Sequence, residues 1–197
     1  MRCHPSLRAL VPVLLVACGG PTPAPEPASR PAPAPPAASF NEPVSVTKAE
    51  STQAGFPPVA FSFDVSRTTL HATRLPTPGW IVAAHAPSNQ PVQSVMVTSV
   101  RPVEGAPERE RAIRDRMSSY DPLTMKGWTH VVFDGGGRDA LEIESGPAST
   151  RTSWCAIFVD RHAATLLVVF GLAGVQRCES ILGSQAFAPV VKSFVLN

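Results

Sequence analysis

Beyond residue 55 the chain alternates between two hydrophobic periods. Phe61-Ser62-Phe63-Asp64-Val65 alternates apolar and polar positions, the pattern of a half-buried strand. Trp80–Ala84 and Val92–Val100 extend the reading, the latter rich in β-branched residues. Between the first two runs, Leu75-Pro76-Thr77-Pro78-Gly79 spells a turn. The period then changes. Ala106–Tyr120 predicts a helix, with Pro107 in its first turn and Ile113 and Met117 on one face. Glu110–Arg114 and Arg111–Asp115 are i,i+4 pairs of opposite charge, which reads as a solvated helix face.

Four more strands follow. Trp128–Phe133 and Arg138–Ser145 flank Asp134-Gly135-Gly136-Gly137, whose glycines supply the positive φ of a tight hairpin. No helix follows this loop, so it does not read as a phosphate cradle. Leu141 and Ile143 alternate with Glu142 and Glu144, predicting a strand wet on one face. Trp154–Val159 and Thr165–Phe170 form a second hairpin around Asp160-Arg161-His162. Leu166–Phe170 is apolar at every position, as in a central strand covered on both faces. Val175, Cys178, Ile181, Leu182 and Gln185 have helical spacing, ended by Gly183. A short turn from Pro189 to Phe194 closes the chain.

Sequential strands with short turns imply an antiparallel sheet, and a fully apolar strand implies cover on both sides. The expected class is α+β: a twisted antiparallel sheet flanked by helices on both faces. Within this pattern, Leu75-Pro76 followed by Gly79-Trp80, a basic-acidic helix, two hairpins, and Ala188–Val191 before Ser193-Phe194 resemble the PsbP-like domains, including the DcrB-like lipoproteins. The resemblance covers about residues 56–197. It implies an α/β/α sandwich related to small binding and assembly factors; the fold carries over, but no catalytic signature and no function do.

The first residues read differently. Arg2 and Arg8 precede the apolar run Ala9–Ala17, which is far short of the ~20 residues of a spanning helix. Leu15-Val16-Ala17-Cys18 has the form of a bacterial lipobox, so residues 1–17 are expected to be a lipoprotein signal peptide and Cys18 the lipidated residue. Each buried CH₂ of palmitate or a similar chain contributes about 0.8 kcal/mol, and several chains together anchor stably. Gly19 in place of an aspartate points to the outer membrane, facing the periplasm. Residues 20–38 form a Pro/Ala tract that cannot bury a core. At ~3.1 Å per residue it reaches on the order of 60 Å as a semi-rigid spacer. The expected organisation is signal peptide 1–17, lipidated terminus and tether 18–50, and folded domain 51–197, with order starting between Ala49 and Phe56.

Charge adjusts this picture. Removing Arg2 and Arg8 lowers Lys plus Arg from 17 to 15, equal to the 15 Asp plus Glu. A neutral mature chain excludes nucleic acid as an expected partner and offers no polybasic hold on lipid headgroups. Membrane attachment then rests on Cys18, and an envelope protein is the expected partner. Of the remaining cysteines, Cys155 and Cys178 form an even pair in an oxidising compartment. Cys155 shares a strand face with Ile157, and Cys178 a helix face with Ile181, so a disulfide is the first reading and two buried thiols the second.

Chemistry-bearing motifs are sparse. There is no Gly-x-Ser-x-Gly and no activated Cys-x-x-Cys. His71, His85, His130 and His162 fit no metal-ligand spacing and read as surface or edge residues. Asp134, Asp139, Glu142 and Glu144 cluster around one hairpin but are too few for a Ca²⁺ loop, and read as solvated edge charges. Trp80, Trp128 and Trp154 read as core or rim. No metal, cofactor or catalytic residue is expected. The chain reads as a non-enzymatic protein-binding or assembly module. The alternative is a carrier holding a small apolar ligand between sheet and helix.

Overall fold

A computed structural model describes residues 39–75 and 79–197. The signal peptide, Cys18, the whole Pro/Ala tract and Pro76-Thr77-Pro78 lie outside the described residues. In chain order the elements are β1 (Ser39–Phe40), β2 (Val44–Val46), α1 (Lys48–Gln53), β3 (Phe61–Phe63), β4 (His71–Arg74), β5 (Val82–His85) and β6 (Gln93–Val100). Then come α2 (Ala106–Arg116), β7 (Leu123–Phe133), β8 (Gly136–Ser145), β9 (Thr152–Arg161), β10 (Ala164–Ala173), α3 (Cys178–Gly183), α4 (Ala188–Ser193) and β11 (Val195–Leu196).

The main sheet has eight strands in the order β1-β4-β5-β6-β10-β9-β8-β7, all antiparallel. Edge strand β1 pairs with β4, and the other seven strands form two meanders, β4-β5-β6 and β7-β8-β9-β10, joined where Thr165–Leu172 pairs with Val100–Gln93. β10 therefore lies inside the sheet, as its unbroken apolar run predicts. Leu166, Val168 and Phe170 enter one core layer, and Leu167 and Val169 enter the other. Period two explains the split, because alternate side chains leave a strand on opposite faces.

Each layer has its own cover. On one face, Ile113 and Met117 of the α2 region meet Trp80, Met96, Leu141 and Trp154. On the other, α3, α4 and a three-stranded sheet (β11-β3-β2) bury Val44, Phe61, Phe63, Ile181, Phe187 and Val190 against β6, β9 and β10. The α+β class with helices on both faces holds, and the small sheet is an addition to it. Phe61, Phe63 and Phe194 stack nearly parallel, with ring centroids 5.6–6.2 Å apart, which holds the last segment against β3.

The fold starts earlier than the hydrophobic pattern predicts. β1 pairs with β4, and Val44 is fully buried, so residues 39–50 belong to the folded unit and not to a tether. β2 has only three residues, too few to show a period. Thr47 and Glu50 form a reciprocal capping box at the start of α1: the Glu50 carboxylate accepts from the Thr47 N–H at 2.7 Å, and the Thr47 hydroxyl accepts from the Glu50 N–H at 3.2 Å. Arg74 then reaches from β4 to Glu50 (2.8 Å) and to the Ser45 carbonyl (2.6 Å).

Two predictions follow from this packing. The Trp154 ring lies directly over Gly171, its cross-strand neighbour, so a β-carbon at Gly171 has no room. Gly171→Ala is expected to lower the unfolding free energy by about 1–3 kcal/mol through overpacking. Gly183, with open space around its Cα, is the control: its alanine variant should be neutral or gain up to about 1 kcal/mol. Denaturant melts of both variants decide it. Separately, the Thr47 N–H, the Thr47 hydroxyl and Arg74 hold the Glu50 carboxyl below its ordinary value of 4.5. A depressed folded-state value means that this carboxylate stabilises the fold above pH 4.5 and that the contribution is lost as pH falls through the folded-state value. Amide-exchange protection of α1 should therefore drop in acid, and Glu50→Gln should flatten that pH dependence.

Candidate functional site

The disulfide is formed. Cys155 on β9 and Cys178 at the start of α3 are bridged, with Cα atoms 5.0 Å apart and both residues fully buried. The reason lies in the two faces read from the sequence: α3 packs on the β9–β10 face that carries Cys155, Ile157 and Val159. Glu142, opposite Cys155 in the β8–β9 register, completes the junction. Its carboxylate accepts from the Cys178 N–H and from Arg177 Nε, both at 3.0 Å.

That arrangement corrects the reading of the hairpin carboxylates as solvated edge charges. Glu142 and Glu144 side chains are only 12% exposed. Glu144 is held by Lys126 (3.4 Å) and Arg151 (3.3 Å), and Asp134 by Arg138 (3.9 Å) and Arg161 (4.0 Å). Asp139 remains well exposed, between Arg109 and His130. The sequence shows these acids alternating along strands but hides the cations, which arrive from other elements. Arg109 is the clearest case. It reaches from α2 to Asp139 (3.2 Å) and Asp160, with its guanidinium 5.3 Å from the Phe158 ring centroid. The expected pairs within α2 are replaced: Glu110 accepts from Trp128 Nε1 at 3.3 Å, and among the described residues neither Glu110–Arg114 nor Arg111–Asp115 forms an ion pair.

The two hairpin turns are tighter than expected. Asp134 and Gly135 alone make the first, with φ of 50° and 69°, and Gly136 and Gly137 belong to β8. Gly137 instead leaves space for the His130 ring beside it. In the second, Asp160 and Arg161 belong to β9, and the turn is His162-Ala163. Both tips carry charge, and Arg161 reaches Asp134 across the same end of the sheet.

The histidines do not gather. His71 and His85 face each other across β4–β5, a juxtaposition that only strand register reveals, and His130 contacts Asp139 at 3.5 Å. Among the described residues no group of three or more His, Cys, Asp or Glu is disposed to hold a metal. Trp80 and Trp154 lie in the core, while Trp128 is half-buried against Phe158. Ser45 and Lys48 do have the Ser-x-x-Lys spacing, but they straddle the end of β2 and the start of α1. They do not sit on successive turns of one helix as that chemistry requires.

The described surface has a cleft of about 400 Å³ by Arg109, Trp128 and Asp139, and two larger ones elsewhere. One, of about 480 Å³, opens where the β9–β10 turn meets the three-stranded sheet. Arg161, His162 and Lys48 stand at its rim, and Val59, Leu166 and Leu196 line its apolar part. The other, of about 420 Å³, runs beside the bulge in edge strand β7 between Lys126, Glu144, Val175 and Arg177. Its charges already pair with one another. No described helix is long and apolar enough to cross a membrane.

No protein-family model matches this chain, and no curated protein does. Among solved structures it is similar to the solution structure of cyanobacterial PsbP (CyanoP) from Synechocystis sp. PCC 6803. The two are 11% identical, the match covers 80% of this chain and 94% of that one, and the TM-score is 0.44.

Loss of the disulfide gives a direct test of how the α3 face is held. The bridge spans 23 residues, and opening a loop of that size costs about 3 kcal/mol in the chain-entropy view. The Cys155→Ala/Cys178→Ala protein, and the parent under reductant, should both unfold at lower denaturant by that amount.

Proposed function

We propose that this protein is a lipid-tethered envelope protein whose folded domain is a non-enzymatic protein-binding or assembly module. One observation carries the reading. Both faces of the main sheet are covered, so the polar groups the domain displays gather at hairpin tips and edges. The Asp134 and His162 tips lie at the same end and are linked by Arg161. There the single carboxylate of Asp134 is flanked by Arg138 and Arg161, a charged cluster that suits a recognition surface better than a reacting centre. Support for the tether comes from the lipobox at Cys18 and the Pro/Ala tract behind it, with an outer-membrane, periplasm-facing address expected from Gly19.

The carrier alternative, with a ligand between sheet and helix, gains little from the packing. Phe170, Phe187, Ile181 and the disulfide occupy that layer, all fully buried, and the Phe170 and Phe187 ring centroids are 5.5 Å apart.

A photoreactive amino acid at Val132, which is 76% exposed beside the Asp134 tip, tests the module reading in native envelopes. It should capture the same envelope protein reproducibly, and Arg138→Glu should abolish the adduct while the domain stays folded. Cys18→Ala should leave the membrane fraction and lose the capture. Full membrane retention of that variant rules out the lipid tether, and the absence of any reproducible adduct rules out the module.

A further inference from the structure

The cleft beneath the His162 tip is unlike the other charged places on this domain. Three basic side chains reach it from separate elements: Lys48 from α1, Arg161 from the end of β9, and His162 from the turn. No aspartate or glutamate side chain lines it. Among the described residues Lys48 makes no ion pair, and Arg161 makes one, with Asp134 at 4.0 Å. The beside-β7 cleft, by contrast, holds Glu142 and Glu144 with their own cations. A basic rim with no acid in its lining favours an anion, because Lys48 has no described partner and Arg161 shares the single carboxylate of Asp134 with Arg138.

Behind that rim the wall is apolar. Val59 and Leu166 are buried core residues whose flanks reach the cleft, and Leu196 adds a half-buried wall from the last strand. A volume of about 480 Å³ lies inside the ~300–1,000 Å³ range of small-molecule sites. An inorganic anion satisfies the rim but leaves the apolar wall unused. A hydrocarbon satisfies the wall but strips water from three polar heads without return. Only a molecule with both parts matches both surfaces.

We propose that this cleft binds an amphiphilic anion, a fatty carboxylate with its head at Arg161 and Lys48 and its acyl chain along Val59, Leu166 and Leu196. The planar guanidinium of Arg161 suits a carboxylate, which it can meet with two parallel N–H donors, and Lys48 adds a second charge from α1. The site goes beyond the partner-binding surface: it uses the underside of the same tip, toward the small sheet, and needs no partner to fill.

The test uses the purified full chain in nanodiscs of zwitterionic lipid, exposed to a photoreactive fatty acid and to the alcohol of the same chain length. Adducts are mapped by mass spectrometry. The acid should label residues 58–60, 163–166 and 196 saturably, with the alcohol weaker by about tenfold. Lys48→Ala and Arg161→Ala should each weaken the acid by about tenfold. Ala163→Phe, a substitution at an exposed turn position, should block the site with the unfolding curve unchanged. Equal labelling by acid and alcohol, adducts spread outside the cleft, or labelling indifferent to these variants overturns the proposal. So does a photoreactive residue at Ala163 that captures a protein segment in native envelopes. Capture at Val132 without acid labelling removes the fatty-carboxylate site and leaves the binding module standing, and the reverse result does the opposite.

Discussion

The pairing of β6 with β10 is the constraint on which this architecture depends. Every other neighbour within the two meanders is joined by a short connection, so those pairs cost little chain entropy to form. β6 and β10 are separated by α2, β7, β8 and β9. Their ladder must bring distant segments together, and the return is burial of β10 on both faces. Burying one Leu, Val or Phe side chain is worth about 1.5–3 kcal/mol, and Leu166–Phe170 supplies five in a row. Once this seam is closed, α2 has one apolar face to cover and α3 and α4 have the other. Cys155 is also presented where Cys178 can reach it.

The seam also explains the tolerance for strict local packing. Trp154 can lie across the neighbouring strand only because residue 171 has no side chain, and its Nε1 is satisfied by the Ser145 hydroxyl at 2.8 Å. Tyr120 meets the same indole edge-on, with ring centroids 4.7 Å apart, tying the end of the α2 region to the sheet. This one aromatic thus touches both neighbouring strands and ties the segment after α2 to them.

Electrostatics follows topology as well. The carboxylates of β8 are spaced for a wet strand, yet α3, the Arg151 loop and the bulged residue Lys126 fold over them. Each acid is then paired with a cation, and the one described cleft with a basic rim and no acid stands out against that background. The small sheet makes this cleft possible. It brings β3 and β2 from the start of the domain together with β11 from its end, beside the β9–β10 turn.

Much of this was legible in the residues alone. The alternation at Phe61–Val65, the apolar run at Leu166–Phe170 and the Ile113/Met117 stripe each declare an element and its buried side. These features are periodic over several residues, and period is a local property set by backbone geometry. The α+β class follows from their order, and the Cys155–Cys178 bridge was the first of two readings, which the packing of α3 on β9 decided. Short or partnered features were not legible. β1 and β2 are too brief to show a period, the cations that hold Glu142, Glu144 and Asp139 come from distant positions, and His71 meets His85 only through register. The same holds for the cleft: Lys48, Arg161 and Leu196 share no motif, and they line one cavity because strand order decides which chain ends become neighbours. Sequence by itself determined the apolar buried side of the longer strands and of the long helix, because that side is encoded as a period along each element. Tertiary structure alone decided which charges are paired and where a ligand has room, because those depend on distances between segments that the chain does not hold together.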